Sequence, residues 1–600
     1  MAPLAKLATI ALMIVSGAIA APWDTTSRHM THRTRAVGPQ KAQFQSYHPP
    51  STFETFGEGT DHPLAKRGDA SSVDAAKAFL QSKLGVSADS ISYKSSSNSD
   101  IVEYQYFRQQ LNGIPVANAV ANVALKNNKV VSYGASFVKA TSVASLAPGL
   151  TKEEAIAKAE AATGGKHNQW PTAIEYFAKD SDNVVLSHVV QVQNEQSGEW
   201  YEAFIDASNG ERKSQTSTTV AHILTQYQKY RVVPFTSVDP DDGFQVLTDP
   251  QDTTASPNGW HQDGTTTSTV TSGNNAIVYK GSNSNTTSQS SATNNYDYTF
   301  DPAAAPADGP NVDVARVNAF YIANMIHDVT YRYGFDEASF NFQQNNNGRG
   351  GAENDRVLIS VQDASGTNNA NFATPPDGQS GRMRMYTWTS TTPNRDGALE
   401  NDIVIHEYGH GISNRLTGGG SGRCLQTIEA GGMGEGWSDA LADWAAQTDS
   451  TDKDFVLGKY VTKQDGGIRS HPYSTKKETN PLTYGSLRTL NEVHDIGEVW
   501  ALIWHEIFAE LIRKLGFSDK KNDPTGTAGN IVALHLLIDG LKLQPCNPTF
   551  ISARDAIIQA DDNRYGGAYK CTLWTAFAKR GLGNGATTTK ADDTTLPSGC

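Results

Sequence analysis

The sequence predicts an α+β fold in which a β-rich lobe precedes a mainly helical lobe with a cleft between them, both preceded by a helix-plus-antiparallel-sheet region. Three observations carry this. A helical pattern followed by alternating strands occurs twice before about Thr218, strands and polar loops fill about Lys229 to Asn295, and helical patterns run from Asp396 to the end.

The elements follow in order. "MAPLAKLATIALMIVSGAIA" has Lys6, an apolar run from Leu7 to about Val15 and small residues at its close, the layout of a secretory signal peptide over residues 1–20. Ala21 to about Gly68 shows weak periodicity, and Lys66-Arg67 offers a dibasic processing point. "VDAAKAFLQSKLGV" then reads as a helix, followed by strands with a turn at Asn112-Gly113. "TKEEAIAKAEAATGG" is a second helix, with a capping box at Thr151 and Glu154 and a stop at Gly164-Gly165, and strands follow it too. With a boundary between Thr218 and Gln228, the chain divides into 1–20, 21–228 and 229–600. In the last unit, "ARVNAFYIANMIHDVTYRYGF" is an amphipathic helix and "RMRMYTW" an alternating strand.

A net charge of -13 argues against a nucleic-acid or anionic-membrane binder, which would show a basic stripe. Past the leader no segment has 18 consecutive apolar residues, so a soluble, exported protein is expected, and it is taken as a monomer. The four cysteines, Cys424, Cys546, Cys571 and Cys600, permit two disulfides and three pairings; Cys546 with Cys571 is the preferred pair. Asn285-Thr286-Thr287 is a glycosylation sequon in a Ser/Thr/Asn-rich stretch.

The chemistry concentrates in "NDIVIHEYGHGISNRLTGG". Residues four apart share a helix face, so His406 and His410 can offer two imidazole nitrogens to one ion with Glu407 beside them. Catalytic zinc takes three protein ligands and keeps a fourth position for water. The third candidate is in "GGMGEGWSDALADW", where Glu435 opens a second helical segment among glycines and Asp439, one turn on, can accept the outer N–H of a ligating histidine. A structural zinc would need a fourth ligand, and no Cys or His in the motif supplies one. Elsewhere, His505-Glu506 lacks a second histidine, His535 reads as a buried, hydrogen-bonded residue, and His327-Asp328 reads as structural. Asp239, Asp241 and Asp242 offer oxygens to Ca2+ without a complete EF-hand spacing.

His406-Glu407-x-x-His410 with Gly434-Glu435-Gly436-Trp437-Ser438-Asp439 resembles the gluzincin metallopeptidases, thermolysin-like in plan. The longer strings "NMIHDVTYRYGFDEASFNFQ", "GTNNANFATPPDGQSGRM", "HEYGHGISNRLTGG", "NEVHDIGEVWA" and "LQPCNPTFISARDA" look like one branch of them, the fungalysins. The resemblance implies a two-lobed thermolysin-like catalytic unit made as a zymogen, whose prosegment assists folding and restrains activity on protein or peptide substrates. It implies that His406, His410 and Glu435 bind Zn2+, that Glu407 is the catalytic carboxylate, and that His494 stabilises the oxyanion or donates a proton. Asn369-Ala370 resembles the edge segment that pairs with the substrate backbone. No tyrosine aligns firmly with a further oxyanion partner; Tyr484 is the nearest in sequence.

Overall fold

The computed structural model describes residues 47–66, 70–144, 149–194, 200–209, 228–281 and 294–600, with short strands Met13–Val15, Thr34–Val37 and Ala42–Gln45 upstream. Most of the signal peptide, Arg67, Asn285 and nearly all of the expected boundary between Thr218 and Gln228 lie outside the described residues.

Helix α1 (Ser72–Leu84) starts where the Ser71 side chain accepts from the Asp74 N–H and ends at Gly85, whose φ of 67° a glycine adopts without strain. Its apolar face, Ala75, Ala76, Phe79 and Leu80, covers an antiparallel meander of Ile91–Asn98, Glu103–Leu111, Ile114–Lys126 and Lys129–Ala135. The meander turns at Asn112-Gly113, both with positive φ as a two-residue hairpin requires. Helix α2 (Lys152–Thr163) carries the anticipated capping box, with the Thr151 hydroxyl accepting from the Glu154 N–H. It covers Asn183–Gln193 and Trp200–Asp206. The two units are joined rather than merely tandem: a parallel pairing of Tyr176 with Val116 makes their strands one sheet.

The remainder holds a mixed four-stranded sheet, in the order Ala276–Tyr279, Val357–Ser360, Arg382–Met385, Ala370–Ala373. Helix α3 (Asn311–Arg332) is buried over most of its length between strands and helix α4 (Asn401–Leu416). There follow α5 (Ile428–Ala446), the short α6 (Lys459–Thr462), α7 (Val493–Leu515), α8 (Gly529–Leu543), α9 (Phe550–Tyr565) and α10 (Lys570–Lys579).

The N-terminal sheet is continuous with the main core. Tyr104, Tyr106, Ala124 and Val131 are buried with the residues of α3 to α10, and Tyr106 meets Phe340 edge-on at 6.1 Å. The Arg423 fork donates to Glu202 through Nε and Nη2, both at 2.7 Å, while its Nη1 reaches Glu175 at 3.3 Å. Arg564 pairs with Asp100 at 2.9 Å.

The cysteine pairing differs from expectation. Cys424, in the loop after α4, bonds Cys546, after α8, and Cys571 of α10 bonds the terminal Cys600. Cys546 and Cys571 are near in sequence but α9 stands between them, whereas the loop at Cys424 folds back onto the end of α8, where the Asn547 N–H donates to the Cys424 carbonyl.

Candidate metal centre

Three helices meet at the site, and glycines set how closely. A side chain at Gly409 of α4 would stand 2.9 Å from the Ser438 Cα of α5, and one at Gly436 would stand 2.6 Å from the Gly497 carbonyl oxygen of α7. Added Cβ atoms essentially never fit at such distances, so these positions hold the helices together by having none. This corrects the reading of Glu435 as a helix start: α5 begins at Ile428, capped by the Thr427 hydroxyl accepting from the Ala430 N–H, and Glu435 lies in its second turn. Interior glycines cost about 1 kcal/mol each relative to alanine, a cost offset by packing on α7.

On that frame His406, His410 and Glu435 come together, with one donor atom from each lying within 4.8 Å of the others. The Nε2 atoms of His406 and His410 are 3.3 and 3.6 Å from Glu435 Oε2. All three side chains are buried, as is Glu407. His410 Nε2, Glu435 Oε2 and Glu407 Oε2 have no hydrogen-bond partner among the described residues. Leaving such atoms buried and unpaired costs about 1–3 kcal/mol each, which a bound cation would relieve. The donor set, two imidazoles and a carboxylate, is the chemistry that zinc accepts.

Without an ion, the electrostatics put His410 and Glu435 in the form a metal ligand needs and hold His406 and Glu407 toward their protonated forms. Burial pushes His410 down to about 4, keeping it the neutral donor that a metal needs. Against its own burial, Glu435 is held well below the carboxylate range by His494 and His410. Burial, with Glu435 nearby, pushes Glu407 up to about 8. Against burial, Asp439 and then Glu435 carry His406 up to about 10.

Asp439 lies where the sequence suggested, with Oδ1 2.6 Å from His406 Nδ1, so Nε2 is the atom turned to the centre. Sequence reasoning missed what holds Asp439. Arg469 donates to it through Nε at 2.7 Å and Nη2 at 2.8 Å, and the Tyr473 hydroxyl donates as well. Both come from an irregular segment between helices that has no periodic signal. His494 is brought to the centre, its Nε2 3.5 Å from Glu435 Oε2, and Glu492 fixes its ring by accepting from Nδ1 at 2.8 Å. Glu492 also accepts the His494 and Asp495 N–H groups, capping α7, so one carboxylate ends the loop and aims the imidazole.

Asn369 and Ala370 line the recess beside His406 and Glu407, and Ala370 begins the edge strand of the four-stranded sheet. Ile403, Leu457 and Ile468 give the recess an apolar wall. Tyr484 is not at this site; its hydroxyl donates to the Thr587 carbonyl at 3.0 Å. His505 pairs through Nδ1 with Asp443, His535 donates from Nε2 to the Pro524 carbonyl, and His327 pairs with Asp328. The Asp239 and Asp242 carboxylates accept backbone N–H groups of their own turn, and they do not figure in any converging donor group found among the described residues.

A buried two-histidine, one-carboxylate donor set with a further carboxylate beside it is an arrangement that zinc hydrolases use. A family model described as fungalysin metallopeptidase (M36) matches residues 229–586, and one described as the fungalysin/thermolysin propeptide motif matches residues 95–137. The extracellular metalloproteinase MEP of Pyricularia oryzae is 43% identical over 535 residues, spanning 81% of this chain and 82% of its own length. That of Aspergillus fumigatus is 41% identical over 551 residues, spanning 83% and 84%, and extracellular metalloproteinase 9 of Coccidioides posadasii is 39% identical over 572 residues, spanning 87% and 88%. The chain belongs to the fungalysin metallopeptidase family.

Proposed function

We propose that the protein is a secreted, zinc-dependent endopeptidase made as a zymogen. A signal peptide over 1–20 and a prosegment over 21–228 would precede a catalytic unit over 229–600 in the two-lobed thermolysin-like plan. The observation that carries this reading is the convergence of His406, His410 and Glu435 on one buried point, where His410 Nε2 and Glu435 Oε2 have no hydrogen-bond partner among the described residues. The extracellular naming of the relatives supports the location.

His406, His410 and Glu435 would hold the ion, and Asp439, through His406 Nδ1, keeps that ring in its binding tautomer. Zinc, when bound, supplies Lewis acidity, lowering the pKa of a water to about 7 and polarising a peptide carbonyl. Glu407 is the general base: it takes the proton of the attacking water and passes it to the leaving amine. Its burial and unpaired Oε2 suit a carboxylate kept for that transfer. His494, raised above the ordinary histidine value by Glu435 and Glu492 against its burial, carries a proton on Nε2 to face the developing oxyanion. The edge strand at Asn369-Ala370 pairs with the substrate backbone, and the wall of Ile403, Leu457 and Ile468 takes an apolar side chain just after the scissile bond. The prosegment, packed into the same core, serves as folding aid and restraint.

The test is Glu407→Gln expressed beside wild type, with secreted mass, bound zinc and casein hydrolysis read together. Retained zinc, lost hydrolysis and an attached prosegment are expected. Wild-type hydrolysis by the variant would refute the assignment.

A further inference from the structure

Glu498 lies one turn beyond His494 on α7 and is buried, yet the mechanism above leaves it unused. A buried carboxylate on a packed helix is costly unless its oxygens have donors. Both do, and both donors belong to Ser470: its N–H reaches Oε1 at 2.7 Å and its hydroxyl donates to Oε2. Burial raises the Glu498 pKa, and the Ser470 bonds work in the opposite direction.

Ser470 matters through its neighbours. Ile468 forms part of the apolar wall, and Arg469 forks onto the carboxylate that orients His406. Besides the side-chain bonds of Arg469 and Tyr473 to Asp439 of α5, the segment is tied by backbone bonds, Ile468 N–H to the Leu457 carbonyl at 2.9 Å and a reciprocal pair between Phe455 and Tyr473. Those backbone bonds join one irregular stretch to another. The Glu498–Ser470 clasp instead ties the stretch to α7, the helix that carries His494.

We propose that Glu498 is a positioning residue that fixes the substrate wall at Ile468, and Arg469 with it, relative to His494, and thereby sets selectivity for peptides with a bulky apolar residue after the scissile bond. The inference rests on the peptidase reading. With the clasp removed, the Ser470 N–H loses its acceptor, the hydroxyl is left with His471 Nδ1 at 2.8 Å, and the wall shifts from the histidine. Misplacement of about 1 Å at such a site costs up to roughly a hundred-fold in rate.

The experiment uses full-length secreted enzyme and two quenched peptides identical except for leucine or glycine after the scissile bond. Glu498→Ala should lower kcat/KM on the leucine peptide roughly ten-fold or more, mostly through KM, and on the glycine peptide by much less. Glu498→Gln, which keeps an acceptor for the Ser470 N–H, should restore the leucine preference to within about three-fold of wild type. Should Glu498→Ala fail to be secreted, Glu498→Asp, one methylene short of Ser470, takes its place with the same expected direction. A merely structural role would lower the melting temperature and depress both peptides equally. An unchanged leucine-to-glycine ratio in Glu498→Ala, or in Glu498→Asp where that variant takes its place, overturns the proposal. Glu407→Gln run alongside separates the two readings, because hydrolysis by that variant indicts the active-site assignment and an unchanged ratio indicts only Glu498.

Discussion

Replacing Arg423 with methionine should loosen the N-terminal region from the metal-bearing one, and by an amount that depends on pH. Arg423 is the described partner of Glu202 and shares Glu175 with Arg108, whose Nη1 is 2.6 Å from Glu175 Oε1. The substitution therefore leaves Glu202, with 2% of its surface exposed, as the stranded charge. Removing one member of a buried pair costs about 3–5 kcal/mol. Protonation offers an escape: neutralising a carboxylate of ordinary pKa costs about 3.7 kcal/mol at pH 7 and only about 1 kcal/mol at pH 5. The penalty should thus be about 3–4 kcal/mol at pH 7 and shrink to about 1 kcal/mol at pH 5. In the wild type, Glu175 is held below the usual carboxylate range by Arg423 and Arg108 against its burial. That stabilisation is present above the unfolded glutamate value and is lost as pH falls through the lowered one, so acid weakens the wild-type clamp while relieving the variant. Hydrogen exchange of the strand Trp200–Asp206, measured on Glu407→Gln chains that keep the prosegment attached, reads the opening. About 3 kcal/mol corresponds to roughly 150-fold faster exchange at pH 7, and Arg423→Met with Glu202→Gln should recover most of it. Less than about a three-fold change at pH 7, or the same ratio at pH 5 and pH 7, would refute the reasoning.

Three further outcomes are expected. Asp439→Asn should weaken zinc binding by roughly 10–100-fold, read by competition with a chromogenic chelator, because His406 loses the carboxylate that aims it. Gly497→Ala would put a Cβ 2.6 Å from that of Glu435, and the resulting shift, an overpacking of about 1–3 kcal/mol, should appear as sub-stoichiometric zinc in the secreted protein. In metal-stripped protein His406 is raised to about 10, so its stabilising contribution is complete below the unfolded histidine value and lost as pH rises through about 10. At neutral pH the returning metal must displace that proton, and calorimetric heats taken in buffers of different ionisation enthalpy should show about one proton released; buffer-independent heats would exclude this.

The parts of the site legible in the sequence are those whose geometry a single helix dictates. His406 and His410 share a face by their spacing alone, and Asp439 follows Glu435 by one turn, so their roles could be argued before any fold was known. Glu435 itself was singled out through chemistry, the need for a third donor, while its place in the helix was misread because glycines look like a boundary. In the fold Gly432 and Gly436 answer to α7, a helix some sixty residues later, and no local rule reports such a demand. Arg469, Tyr473 and Glu498 were invisible for the same reason: a segment without periodicity delivers the first two, and an apolar helix hides the third among hydrophobic neighbours. The cysteines repeat the point, since nearness along the chain favoured Cys546 with Cys571 while packing brought Cys424 to Cys546 across 122 residues. Ligands that chemistry requires can be read from spacing, but the residues that orient them are fixed by which helices touch, so they must be read from the fold.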